Sequence, residues 1–218
     1  IWGIDNEFIS SAALDDLECA WGCAQGFLNA ETSESIPVLC VFDSEEVGSN
    51  SNQGAASMLL PDVLGRICGA LELDLNRMLA QSFLISADNA HALHPNHPEK
   101  TDVTNKPVLG KGVIVKTHAS GAYLTDGLSA GIVGKIFDKA GVKRQNFFNR
   151  SDMRSGSTLG VPAASALGIG GADIGLAQLA MHSACECFAK DDYIELVNGL
   201  TAFYSTDILA DGDGYSVK

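Results

Sequence analysis

The sequence predicts an α/β fold, a mainly parallel mixed sheet with helices on both faces, and three observations carry that expectation. Short apolar runs alternate with longer amphipathic runs from one end of the chain to the other, the pattern of strands covered by helices. The 218 residues are the size of one domain with one core. Helix-end signals fall where that alternation needs them, as at Asp126 and Gly141.

In chain order, Leu14, Leu17, Trp21, Ala24 and Leu28 recur at spacings of three and four. They form one face of a helix, with Ser10 and Ser11 as candidate N-caps. "PVLCVFD" (37–43) reads as a strand, and Gln53 to Gly69 as a helix that Pro61 kinks. "SFLIS" (82–86) reads as a buried strand, and a polar loop rich in Pro and His follows. "GVIVK" is the next strand, and "TDGLSAGIVGKIFDKAG" a helix capped by Thr125 or Asp126 and ended by Gly141. "QNFFN" is a short strand and "LGIGGADIGLAQLAMHS" holds at least one more. Asp191 caps a last helix carrying Ile194, Val197, Leu200 and Tyr204. No repeat or linker interrupts the series, so residues 1–218 are expected to form one domain.

Composition excludes several functions. With 14 Lys and Arg against 27 Asp and Glu, a formal charge of −13, no nucleic-acid or acidic-membrane partner is expected, because phosphate recognition needs clustered cations. The excess of acid suits cation binding instead. The six cysteines lie in apolar segments without a CxxC pair and read as buried thiols of a reducing cytoplasm. Ile1 opens neither a charged leader nor an apolar one. It is also not an initiator, so the residues are expected to begin partway through a longer protein.

The chemistry gathers around "VFDSEEVGSN" (41–50), where Glu45 and Glu46 stand side by side without a neighbouring cation. Such a pair either sits in water or shares a positive charge. In open α/β sheets ligands bind beyond the carboxyl ends of strands. Glu45 and Glu46 follow one predicted strand, Asp88 follows another, and His182 follows "IGLAQLAM". Asp15 opens the first helix, at the same level if that helix follows a strand contained in "EFIS" or lying outside these residues. Two metal ions shared by carboxylates and imidazoles would make the adjacent glutamates tolerable. Singly, each acid is as readily a helix cap or turn residue.

Five segments together resemble the aspartyl aminopeptidase and aminopeptidase I family of co-catalytic dizinc metallopeptidases. They are "SSAALDDLECA", "FDSEEVGSNSNQGAAS", "SADNAHALHPN", "NRSDMRSGSTLG" and "LAMHSACE", in family order. The resemblance implies a dizinc aminopeptidase-like core in which Asp15 bridges two ions. Glu46 and His182 would complete one ion, Asp88 would hold the other, and Glu45 would be the general base. His91 and His94 would be supporting residues. "GVIVKTHASGAY" resembles the segment whose Lys and Tyr contact substrate, implying Lys116 and Tyr123; Gly156 in "RSGSTLG" would let backbone N–H groups approach a substrate. Taken alone, Lys116 is also an ordinary strand-end lysine, Tyr123 a packed aromatic and Gly156 a plain turn.

The resemblance also implies two divalent ions, zinc first and manganese or cobalt as alternatives, peptide substrates and a homo-oligomer. Acidic N-terminal residues are the first expectation for the substrate, with Lys116 as the reading cation. A broad or neutral-residue aminopeptidase and a non-catalytic scaffold are the rivals. The family's further His ligand from an N-terminal segment and its inserted oligomerisation domain have no counterpart in residues 1–218.

Overall fold

The structure, a computed structural model, describes residues 1–31, 33–212 and 214–218. Its centre is a four-stranded sheet in the order β2 (Phe83–Ala87), β6 (Gly170–Gly175), β4 (Val113–Thr117), β5 (Arg144–Phe148). β2 and β6 run parallel, as do β4 and β5, while β6 and β4 are antiparallel. A second four-stranded sheet orders β1 (Phe8–Ser11), β8 (Glu186–Ala189), β7 (Ala177–Leu179) and β3 (Ala90–His91). β9 (Ile208–Asp211) and β10 (Gly214–Val217) close a hairpin.

Strand alternation divides the central sheet into two faces. Phe83, Ile85, Val113, Val115, Ala172 and Ile174 point to one side and pack against α1 (Leu14–Asn29), α4 (Gly127–Ala140) and α6 (Lys190–Tyr204). Cys19, Val133, Phe137, Leu196 and Leu200 fill that layer from the helices. The opposite face carries Ser86, Ile114, Lys116 and Asp173. There α5 (Gly160–Leu167) and the Tyr123, Phe147 and Ala177 cluster cover it. Helices therefore lie on both faces. α2 (Leu59–Ala70) and α3 (Leu75–Ala80) complete the set, and no helix among the described residues is long and apolar enough to cross a membrane.

Local chemistry accounts for the elements that match expectation. Asp126 accepts from the Ser129 N–H at 2.7 Å while Ser129 Oγ accepts from the Asp126 N–H at 2.9 Å, and Gly141 ends α4 at φ 70°. That reciprocal cap and left-handed stop satisfy the terminal backbone groups of the helix.

Other expectations are corrected. Ser10 and Ser11 belong to β1, and α1 is preceded by Ala13 in a left-handed conformation with no side-chain cap. Three residues of the stripe expected for α1 face outward, Leu17, Trp21 and Leu28 being 66, 61 and 72 % exposed, while Leu14 packs against the core. The packed face is Glu18, Cys19, Gly22 and Gly26, because α6 approaches so closely. A Cβ on Gly22 would lie 2.8 Å from Leu196 and one on Gly26 2.5 Å from Leu200. α2 starts at Leu59, so Pro61 sits in its first turn, where no N–H is required, and bends nothing. Asp191 lies in the first turn of α6 rather than capping it.

Residues 37–43 form no strand. A strand needs a partner backbone to complete its ladder. Here an apolar groove of about 640 Å³ is lined on one side by Ile36 to Phe42 and on the other by β2, itself an edge of the sheet.

Candidate metal centre

The site is assembled by backbone before any side chain is considered. β1 pairs antiparallel with β8, Ser11 opposite Glu186, and so delivers the start of α1 beside the loop that precedes β8. Asp15 keeps an extended backbone (φ −82°, ψ 108°) inside the helix start, which frees its N–H. That N–H donates to Glu186 Oε2 at 3.0 Å, and Glu186 Oε1 accepts from the His182 N–H at 2.6 Å. One buried carboxylate thus fixes both backbones. His182 adopts φ 64°, a left-handed turn that reverses the chain between β7 and β8 and aims its ring at α1.

Two donor clusters result. In the first, His182 Nε2 lies 3.1 Å from Asp15 Oδ2 and 3.0 Å from Glu46 Oε2. In the second, carboxylate oxygens of Asp15, Asp16 and Asp88 lie within 4.8 Å of one another, as do the ligand atoms of the first set. Asp88 follows β2, held by its N–H to Ile174 O at 3.0 Å. The two clusters share Asp15.

The electrostatics are those of a site short of positive charge. Burial first, then the Glu46 carboxylate, raises the Asp15 carboxyl above its usual range, and His182 only partly opposes this. Burial, then Asp88, does the same more strongly to Asp16. Asp15 Oδ1 and Asp16 Oδ1 are buried without a hydrogen-bond partner, a costly state for a carboxylate unless a cation meets it. Both clusters therefore fit divalent metal. The first offers two oxygens and an imidazole nitrogen, donors that zinc takes at three-ligand sites; the second is all oxygen, a harder set.

Glu45 opens the turn closed by the Gly48 N–H on its carbonyl at 3.0 Å. Burial, followed by repulsion from Asp88, Glu46 and Asp15, pushes its carboxyl up to about 7. The acids expected to converge do so. Neither His91 nor His94 joins a donor cluster among the described residues.

The three residues expected at the substrate are placed as follows. Lys116, on β4, is 2 % exposed. Its ammonium donates to Asp88 O at 2.9 Å and Asn89 O at 2.7 Å and lies 3.3 Å from Asp88 Oδ2. Burial alone would lower this ammonium, but Asp88 and then Asp173 outweigh it and hold it charged. The Tyr123 ring covers it, 5.2 Å from Nζ to the ring centre. Gly156 is exposed, and an added Cβ would meet nothing.

Two participants were missed in the sequence. Asp16 enters the second cluster, and the adjacent acids of "LDDLE" are the same signal as the paired glutamates. Glu186 was quoted within "LAMHSACE" but given no role; a glutamate opening an apolar strand "ECFA" is a buried acid in need of donors.

Fold and clusters together define an α/β protein whose donor sets suit divalent metal, with Asp88 beyond β2, His182 beyond β7, Asp15 at the start of α1 and Glu46 in the loop after it. The family model for aminopeptidase I zinc metalloprotease (M18) matches residues 1–204, and the chain belongs to that family. It is 44 % identical over 208 residues to a probable M18 family aminopeptidase 2 of Clostridium novyi, covering 94 % of this chain and 48 % of the relative. The crystal structure of an M18 family aminopeptidase from Thermotoga maritima superposes with a TM-score of 0.86 at 29 % identity, over 93 % of this chain and 47 % of that one. The S. cerevisiae mApe1 dodecamer gives 0.83 at 29 % identity, over 94 and 47 %. The chain spans about half the length of the curated relatives it matches.

Proposed function

We propose that this chain is the catalytic domain of an aminopeptidase that hydrolyses the N-terminal residue from peptides with two divalent ions, zinc before manganese or cobalt. The observation that carries this reading is the pair of donor clusters joined at Asp15 and flanked by Glu45. Asp15 would bridge the ions, Glu46 and His182 would complete one, and Asp88, with Asp16 beside it, would hold the other.

Ions bound there supply Lewis acidity toward the scissile carbonyl and acidify water. The remaining work falls to the chain. Glu45, raised first by burial and then by repulsion from Asp88, Glu46 and Asp15, would lose the second of these contributions beside bound cations and so favour the ionised, proton-accepting form. Glu45 then takes a proton from the attacking water and delivers it to the leaving amine. Glu186 holds Asp15 and His182 at fixed separation through that cycle.

Residue preference is a finer matter. An acidic preference rested on Lys116, whose ammonium is buried against Asp88 and is covered by Tyr123. A substrate carboxylate would have to displace those partners. This placement favours the broad or neutral-residue reading over the acidic one. A cytoplasmic location suits six free thiols, and assembly into a homo-oligomer is proposed from the likeness to a dodecameric neighbour.

The test is a panel of aminoacyl amides, acidic and neutral, with metal content measured on the full-length protein. About two ions per chain and release of N-terminal residues support the reading, whereas no bound metal would favour the scaffold. Glu45→Gln should keep both ions and lower turnover by about 10² to 10⁴-fold, the range for a lost general base. Equal metal loss in Glu45→Gln and Glu46→Gln would sink the division of roles.

A further inference from the structure

Asp173 belongs to none of the donor clusters, yet the segments expected at the substrate converge on it. It lies on β6 directly opposite Lys116 of antiparallel β4, so the two side chains share one face of the sheet. Its side chain is wholly buried. Asp173 Oδ2 accepts from the Leu124 N–H at 2.5 Å, next to Tyr123, and Oδ1 accepts from Thr158 Oγ at 2.9 Å, in the loop that carries Gly156. Its own N–H donates to Thr125 Oγ at 2.8 Å. Gly160, the first residue of α5, sits so close that a Cβ would lie 2.5 Å from Oδ1.

A neutral side chain would pack in this space with less desolvation cost. A carboxylate is retained at a point where two donors from two loops must both meet an acceptor and where the buried ammonium of Lys116 needs a second negative neighbour. Lys116 in turn holds both the backbone and the carboxylate of Asp88. We propose that Asp173 is a positioning residue for the hydrolysis, its one buried carboxylate joining Lys116, which holds Asp88, to the two loops that carry Tyr123 and Gly156. Lys116 then serves the metal site from behind rather than reading the substrate. The proposal rests on the assignment of Asp88 as a metal ligand.

The full-length protein titrated with Co(II) gives a readout other than turnover, since the visible bands report ligand geometry. Asp173→Asn keeps the shape but turns an amide N–H₂ toward one of the two donors. It should weaken the more weakly held cobalt equivalent about 10- to 100-fold, shift its band, and raise KM for a leucyl amide, the scale of effect expected of a residue that supports a ligand. Thr158→Val severs one arm only; KM should rise while the cobalt titration stays at wild type, and Thr158→Ser should restore KM. If Asp173→Asn lowers Tm but leaves KM and the cobalt titration unchanged, or if Thr158→Val leaves KM unchanged, Asp173 is a packing residue and the proposal falls. Failure of the underlying reading is seen separately, as a wild-type protein that binds no second cobalt ion and a Glu45→Gln variant that remains active.

Discussion

Asp15 shows how much one residue is asked to do. Its N–H donates to Glu186, one carboxylate oxygen faces His182, and the other is buried without a partner. A residue common to both clusters should be indispensable to both ions, so Asp15→Ala should lose the two together in a metal assay; one tightly held ion would show that the bridge is misassigned. Glu186 acts one step further back. Glu186→Gln replaces one acceptor by an N–H₂ that faces a backbone donor, so Asp15 or His182 must move. Metal affinity should drop about 10- to 100-fold with the circular dichroism unchanged, as for other groups that orient ligands. Unaltered affinity would reduce Glu186 to a strand residue.

Elements bring these residues together because their contacts are close. α1 and α6 meet at Gly22 and Gly26, and α1 carries Asp15 at its start. Gly26→Ala would force the helices apart against Leu200, costing roughly 1 to 3 kcal/mol as overpacking usually does; an unchanged midpoint in urea would contradict the packing described. At the start of α6 the buried Asp192 accepts from the N–H groups of Gly110 at 2.7 Å and Gly112 at 2.6 Å, pinning the turn before β4. Burial pushes its carboxyl up to about 6, against the pull of those two donors. The folded chain then binds this proton more tightly than the unfolded chain. The contribution is complete below the unfolded value near 3.8 and is lost as pH rises through about 6. Wild type should lose on the order of 2 to 3 kcal/mol relative to Asp192→Asn between pH 4 and 7. Parallel stability curves for the two proteins over that window would show that the donors, not burial, set the carboxyl.

Across the molecule, several of the exposed apolar side chains among the described residues gather at one place. Leu17 joins Val38, Val41 and Ile67 around the groove beside β2. Contiguous apolar surface of this kind associates in water. Residues 1–218 expressed alone should therefore sediment as concentration-dependent oligomers, and Val38→Lys with Val41→Lys should shift them toward monomer. Strict monomer at all concentrations would mean that the groove closes on itself. On the proposed assignment, the same chain should hold an ion at Asp15, Glu46 and His182 more tightly than one held by carboxylates alone, since imidazole favours zinc. Two equal, tight calorimetric sites would contradict that difference.

Periodicity and punctuation in the sequence determined β2, β4, β5 and α4 almost to the residue, because each is specified by its own alternation, cap or stop. The paired glutamates, conspicuous in one dimension without a cation, pointed to bound metal, and the resemblance of five segments implied Asp15, Asp88 and His182 beside them, whereas Asp16 joined the second cluster only in three dimensions. The tertiary structure alone decided which face of α1 is buried, because two glycines that carry no hydrophobic signal let α6 approach. It also decided that 37–43 is not a strand, because an apolar run becomes one only beside a partner backbone. The place of Lys116 is of the same kind. A lysine at a strand end is free or captive according to what lies across the sheet, and Asp88 and Asp173, distant in sequence, make it captive.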